Sequence, residues 1–261
     1  MSQPPRVAVN NEIYHQLGER WYTAQDDPVA LLRAEAALRN PWIAEQIRKQ
    51  LGTNEVSVLD IGCGGGFLTN LLARSGFRVV GLDQSVESLA VARLYDTTGT
   101  VQYDQGDACR LPYPDQSFDV VCSMDFLEHV DDPKQVVAEA ARMIKPGGMF
   151  FFSTFNRNPL SWLVVIKGVE WFVKNTPPHM HVYHLFLKPS ELARFCLDCG
   201  FANPTFYGLR PSLNRAFFQM LVTRVVPPDF SFTFSNSLQT GYLGVAIKQP
   251  SIGFQAGTVC R

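Results

Sequence analysis

The stretch VLDIGCGGG, Val58 to Gly66, carries Asp60 and then Gly62, Gly64 and Gly66 from an apolar run into a tight turn that opens a helix. Glycine tolerates positive φ and lets backbone approach a ligand closely, so such a turn suits a nucleoside. Its spacing departs from the dinucleotide fingerprint GxGxxG, whose third glycine would fall at Phe67. A pyrophosphate rests on a helix start; this turn is expected to cradle a group without phosphate. Asp83, closing RVVGLD, follows Gly62 by 21 residues, the separation at which a carboxylate accepts both ribose hydroxyls. Asp107 in GDACRLPY is expected to accept from an adenine amine, and Asp60 to face the amino group of a bound amino acid. A lone glycine turn would be weak evidence. Here the FDVV run and the KPGG turn, Lys145 to Gly148, follow it at the expected places.

A second set of residues can activate a hydroxyl. If the chain turns helical after the FDVV strand, Asp125, Glu128 and His129 share one face at i, i+3 and i+4. Two carboxylates and an imidazole so placed can hold a hard divalent ion with open positions. The plain alternative is that the Glu-His pair only frames the pocket. PPHMHVYH brings His179, His181 and His184 together, and a histidine titrating near neutrality is a good general base. No cysteine lies nearby and the spacings fit no closed zinc site. Loop histidines on a solvated surface are the ordinary alternative. His181 and His129 are the candidate catalytic residues.

These residues need a frame. Apolar runs at 56–61, 78–83, 100–103, 118–124 and 149–154 alternate with helical patterns at 67–74, 85–95 and 133–144. That alternation predicts a doubly wound α/β fold, a parallel sheet covered on both faces, with the ligand at the carboxyl ends of the strands. A helix over 189–200 and strands over 205–209 and 241–248 complete the pattern. Residues 1–50 read as a helical cap, 51–248 as the main domain with an insertion at about 155–190, and 249–261 as a polar tail.

A chain of 261 residues with formal charge −1 shows no basic footprint, so nucleic acid is not an expected partner. The start MSQPPRVAVNNEIY has neither a secretory nor a transit pattern, and six cysteines without a disulfide spacing agree with a cytoplasmic protein. Cys196 and Cys199 lie on an amphipathic helix, where packing is the expected role. The segment SWLVVIKGVEWFVK, Ser161 to Lys174, is too short to span a bilayer and too apolar for an ordinary surface helix. It is either a buried helix beside the acceptor or a helix lying in a membrane interface, with tryptophans at both ends.

From Val56 to Thr154 the chain resembles the class I S-adenosylmethionine-dependent methyltransferases. The resemblance implies a Rossmann-like seven-stranded sheet whose last strand inserts antiparallel. LRNPWI (38–43), MDFLEHV (124–130), FFSTFNRNPLSWL (151–163) and HVYHLFLKPSEL (181–192) further resemble the ubiquinone-biosynthesis O-methyltransferases. That resemblance implies a polyprenylated catechol or demethyl-quinol acceptor and S-adenosylmethionine contacts from Arg39, Gly62, Asp83 and Met124. It also associates the Asp125, Glu128 and His129 motif with a divalent cation such as magnesium. A substrate dissolved in the bilayer favours the membrane-interface reading of Ser161 to Lys174, on the inner face. The chain departs from the family at Val182, where an acidic residue is usual, and across 209–236.

Overall fold

The computed structural model describes residues 8–52 and 55–250, so the tail expected over 249–261 lies almost wholly outside the described residues. Helices α1 (Glu12–Gln16), α2 (Arg20–Thr23) and α3 (Val29–Leu51) precede the sheet. The continuous helical pattern read up to Gln50 is thus broken twice, at Gly18, which adopts φ +49°, and at the Asp26–Pro28 turn. Strands β1 (Ser57–Ile61), β2 (Arg78–Asp83), β3 (Gln102–Gln105), β4 (Phe118–Met124) and β5 (Ile144–Phe155) run parallel. Between them lie α4 (Phe67–Arg74), α5 (Val86–Leu94) and α6 (Pro133–Met143). Asp132 accepts from the Gln135 amide and Pro133 follows it, a start signal that contributes about 1 kcal/mol to α6.

After β5 the chain forms α7 (Pro159–Ser161), a π-wound stretch (Trp162–Gly168) and α8 (Val169–Phe172). Then come a short 3₁₀ turn (Tyr183–Leu185), α9 (Pro189–Asp198), β6 (Thr205–Pro211), α10 (Arg215–Thr223), β7 (Phe232–Ser235) and β8 (Gly241–Ile247). The sheet order is β3-β2-β1-β4-β5-β8-β6-β7. β8 inserts antiparallel between β5 and β6, pairing Met149 with Ile247 and Phe155 with Gly241.

The sheet has eight strands, which corrects the expectation of seven. The added strand is β7, pairing antiparallel with β6 at the outer edge. Its Phe234 ring packs 5.4 Å from Trp42, extending the apolar layer under α3. One face of the sheet is filled by residues of α3 and α4 against Val58, Val120, Phe151 and Leu243. The other is filled by α6 and α9 against Leu59, Val121, Phe150 and Phe152. Burying apolar side chains on both faces is the main favourable term, about 1.5–3 kcal/mol for each large one. Cys196 is buried in the second layer with Cys199 beside it, both as free thiols, so the lone CxxC packs a core. β1 is the topological switch point, with β2 on one side and β4 on the other, and the cleft opens at its carboxyl end.

Candidate active site

The turn after β1 is tied first by its backbone. The amides of Gly62 and Cys63 both donate to the Leu82 carbonyl, at 2.8 and 3.1 Å, which ties the turn to the end of β2. Gly62 has φ +70°, and a Cβ there would meet the Phe126 ring at 2.2 Å. A side chain is excluded at that position twice over, by conformation and by space. Asp83 Oδ2 accepts from the Gly64 amide at 2.9 Å and Oδ1 from the Ser85 amide at 2.8 Å. A carboxylate has about four lone-pair sites, so each oxygen keeps one for a ligand hydroxyl. Burial raises the Asp83 carboxyl above its ordinary value, against the pull of those amides.

A cavity of about 500 Å³ runs over this turn, lined by Asp60, Gly62, Gly64, Asp83, Asp107, Met124, Asp125 and His129 together with Arg39. That volume lies within the usual range for small-molecule sites, about 300–1,000 Å³. Asp107 sits at its rim, with Oδ1 accepting from the Cys109 amide at 2.8 Å. Asp60 is buried at the end of β1, and burial pushes its carboxyl to about 8 despite nearby Arg39. A buried carboxyl facing a cavity suits a cationic amine, whose charge would bring it back to the ionised form. Gly66 caps α4 with φ +84° and is absent from the cavity wall, so of the three expected glycines it shapes the turn without lining the cavity. Glycine backbone, Asp83, Asp107 and Asp60 fit a nucleoside with an attached amino acid, and they fit S-adenosylmethionine.

The opposite wall comes from the amino terminus. Trp21 packs over the turn so closely that a Cβ on Gly64 or Gly65 would meet its ring at 2.8 or 2.7 Å. Tyr14 stacks on Trp21 with centroids 5.7 Å apart, and its hydroxyl lies 3.5 Å from His129 Nε2. Asn11 Oδ1 lies 3.1 Å from His129 Nδ1, and Asn11 Nδ2 donates to the His129 carbonyl. Sequence reading assigned none of Asn11, Tyr14 and Trp21 to the site.

Arg39 is 3% exposed and lines the cavity from α3. Its Nη1 donates to Glu35 Oε1 at 2.9 Å and to Ser153 Oγ at 3.0 Å, and lies 2.5 Å from Asp125 Oδ2. Ser153 Oγ donates in turn to Asp125 Oδ1 at 2.8 Å. Arg39 is thus the hub of a buried ion-pair network, and its planar fork suits that role. Burial and the nearby Asp125 charge push the Glu35 carboxyl to about 7.

The expected metal face is not formed. Asp125 adopts φ +50° and the chain enters a 3₁₀ turn at Leu127–His129, so no α-helical i, i+3, i+4 face exists. Asp125 is taken up by Arg39 and Ser153, and both ring nitrogens of His129 face Asn11 and Tyr14. Glu128 is 1% exposed and neither carboxyl oxygen has a hydrogen-bond partner, and burial raises it to about 8. Among the described residues no three His, Cys, Asp or Glu side chains are placed to hold a metal ion.

The three loop histidines separate. His179 and His184 are exposed, whereas the His181 ring packs against Phe155 at 5.0 Å and His129 at 5.7 Å. His181 stands behind His129 and does not line the cavity. Burial lowers His129 to about 4 and His181 to about 3, so both rings are neutral near pH 7.

Fold and cavity together define a class I S-adenosylmethionine-dependent methyltransferase. The family described as a methyltransferase domain matches residues 59–152. The chain is 39% identical over 207 residues to the ubiquinone biosynthesis O-methyltransferase of Erwinia tasmaniensis, covering 77% of this chain and 84% of that one. To the Klebsiella pneumoniae protein of the same name it is 40% identical over 185 residues, covering 69% and 74%. The chain belongs to the ubiquinone biosynthesis O-methyltransferase family, and its cofactor is S-adenosylmethionine. The fold is shared with a SAM-dependent methyltransferase of Thermotoga maritima (TM-score 0.57, 20% identity, 91% of this chain and 99% of that one). It is also shared with magnesium protoporphyrin IX methyltransferase of Synechocystis, solved with SAH bound (TM-score 0.54, 17% identity, 81% and 82%).

Proposed function

We propose that the protein methylates a phenolic hydroxyl of a polyprenylated catechol or demethyl-quinol in ubiquinone biosynthesis. The observation that carries this reading is the single cavity in which the glycine turn and Asp83 face Tyr14 and His129, in a chain 36–40% identical to family members of that name. S-adenosylmethionine supplies an electrophilic methyl on sulfonium for in-line attack by oxygen. Gly62 and Gly64 lie against it, with Gly66 shaping their turn. Asp83 accepts from the ribose, Asp107 from the adenine amine, and Asp60 from the amino group. Met124 closes the floor, and Arg39 orders Asp125 at the reacting end. Holding the acceptor oxygen at attack distance is the larger part of catalysis.

His129, neutral and in the cavity wall, accepts the hydroxyl proton, and His181 packs its ring from behind. Of the cap expected over residues 1–50, the described residues 8–50 serve as a helical cap, 51–248 as the methyltransferase domain, and 155–190 as its insertion. The protein works from the cytoplasm against the inner face of a membrane. No helix among the described residues is long and apolar enough to cross one. Support for peripheral contact comes from Trp162, Leu163, Val164 and Trp171, all exposed on the Ser161–Lys174 segment, with Trp171 54% accessible, and from exposed Leu160 just before it.

The test is transfer of labelled methyl from S-adenosylmethionine to a short-chain prenyl catechol. A product methylated on oxygen is expected. Cofactor binding by calorimetry without any transfer would show the acceptor to be wrong. For the membrane contact, co-sedimentation with anionic liposomes is expected and is lost in Trp162→Glu; a protein that stays in the supernatant would end that part of the reading.

A further inference from the structure

Asn11 reaches His129 across 118 residues of sequence and meets it at two points, each at 3.1 Å. Its Nδ2 donates to the His129 carbonyl, and its Oδ1 faces Nδ1 of the His129 ring. The first contact decides the second. A backbone carbonyl only accepts, so the amide nitrogen of Asn11 must face it and the amide oxygen must face the ring. That oxygen also only accepts, so Nδ1 carries the proton and the neutral ring keeps its lone pair on Nε2. With the proton on Nε2 instead, the lone pairs of Nδ1 and Oδ1 would be turned on each other in a buried place.

The partner of Nε2 agrees. The Tyr14 hydroxyl lies 3.5 Å from it. Burial, with Glu128 and Asp125 nearby, holds that phenol above its ordinary value, so it keeps its proton and donates. At 3.5 Å the bond is at the long limit and weak, which leaves the lone pair available beside the cavity that both rings line.

Asn11 also forgoes a local use. It stands at the N-cap of α1, where an asparagine oxygen ordinarily accepts from an amide of the first turn and contributes about 1 kcal/mol; its side chain makes no such bond. A residue that breaks a local rule in order to hold a distant ring marks a functional constraint. The ring is held from its other sides as well. The His129 amide donates to the Phe126 carbonyl at 2.8 Å, and His181 packs behind it with centroids 5.7 Å apart. The Asn10 amide donates to the His179 carbonyl at 2.9 Å, so the segment carrying Asn11 is anchored to the loop that carries His181.

We propose that Asn11 is a positioning residue for methyl transfer, holding His129 in the tautomer that presents an unprotonated Nε2 to the acceptor hydroxyl. The proposal rests on His129 as the proton acceptor, and adds which nitrogen acts and what fixes it. The hydroxyl proton passes to Nε2 as the oxygen–carbon bond forms, and the carbon–sulfur pair stays with sulfur. The imidazolium then returns that proton to water, with Nδ1–H on the Asn11 oxygen throughout.

Nitrogen-15 spectra of the protein labelled in its five histidines read the tautomer directly at pH 7. The His129 signals are identified by their loss in His129→Gln. Their unprotonated nitrogen is expected to couple strongly to Hδ2, which is two bonds from Nε2 and three from Nδ1. An unprotonated Nδ1 would overturn the proposal outright. In Asn11→Leu the single tautomer is expected to be lost. There kcat for transfer to a short-chain prenyl catechol should fall about 10- to 100-fold, with KM and the calorimetric affinity for S-adenosylmethionine held within about threefold. An unchanged kcat, or a cofactor affinity that falls as far as kcat does, would overturn the positioning role. An unchanged kcat in His129→Gln removes His129 as the base and Asn11 from the reaction, while methyl transfer itself stands. Transfer to no catechol by the unaltered protein removes the acceptor reading; the tautomer is read without an acceptor and then stands or falls on the spectra alone.

Discussion

The two walls of the cofactor cavity are built in opposite ways. The nucleoside wall is made of the turns that follow β1, β2 and β3, and its positions are fixed by backbone amides that donate to the Leu82 carbonyl and to the Asp83 and Asp107 carboxylates within and between those turns. The facing wall is assembled from α1, α2, α3, the Asp125–His129 turn and the end of β5, by side chains more than 100 residues apart in sequence. The first needs glycine and single carboxylates. The second needs every member of a network, because Glu35, Asp125 and Arg39 are stable in a buried place only together. A substitution in the first wall should therefore act on cofactor affinity, and one in the second on the fold as well.

The sharpest way to break this contrast is Arg39→Met. Removing the cation leaves the Glu35 and Asp125 carboxylates buried side by side, and unfolding in urea is expected to show a loss of about 3–5 kcal/mol. Adding Glu35→Gln and Asp125→Asn to the same chain should recover most of that loss, since no uncompensated charge then remains. A loss no larger than an exposed pair gives, about 1 kcal/mol or less, would mean that the network is not what holds this wall.

The same contrast explains what could be read in advance. The glycine turn, Asp83 and the β1–β5 alternation were legible because strand period, glycine spacing and strand-end acids are local signals. β8 inserting antiparallel was expected from the family resemblance and is found. β7 was missed because FTFS is four residues long and takes its place by packing Phe234 on Trp42, which no local pattern reports. Tyr14 and Asn11 were missed for the same reason: their role depends on His129, 115 and 118 residues away. The shared face expected of Asp125, Glu128 and His129 is not formed because of the local backbone. The i, i+3, i+4 argument holds for an α-helix, and the left-handed Asp125 aims its carboxylate at Arg39 instead.

On the nucleoside wall, Asp83→Asn is expected to weaken S-adenosylmethionine about 10- to 100-fold by calorimetry, the worth of a charge-assisted hydrogen bond. An amide has one acceptor oxygen for the Gly64 and Ser85 amides, so the turn loosens as well, but the Arg39 network and the core are untouched. Thermal stability should change far less than in Arg39→Met. An unaltered dissociation constant would remove Asp83 from the ribose.

The smallest effect expected distinguishes the walls by pH. His129 and His181 are held below the ordinary histidine value by burial, at about 4 and about 3. Below pH 6.5 the unfolded chain therefore binds protons that the folded chain refuses, so stability falls as pH drops from 6.5 toward 4. Asp60 and Glu128 act in the other direction, because burial raises both to about 8. They stay protonated in the folded chain while the unfolded chain releases their protons, so their cost grows as pH rises from about 4 to 8. Between about pH 4 and 6.5 the two effects oppose each other and nearly cancel, so the net loss of stability is steepest above that window, where only the acids act, and below it, where only the histidines do. His181→Phe keeps the ring contacts with Phe155 and Phe186 but removes one titrating group from the acid limb. Relative to the unaltered protein its Tm should rise progressively as pH drops below 6.5, by about 2–4 °C for each kcal/mol recovered, and differ by a constant amount above it. A variant whose acid limb runs parallel to that of the unaltered protein would show that His181 is protonated without cost, and that the ring stack behind His129 is open to water.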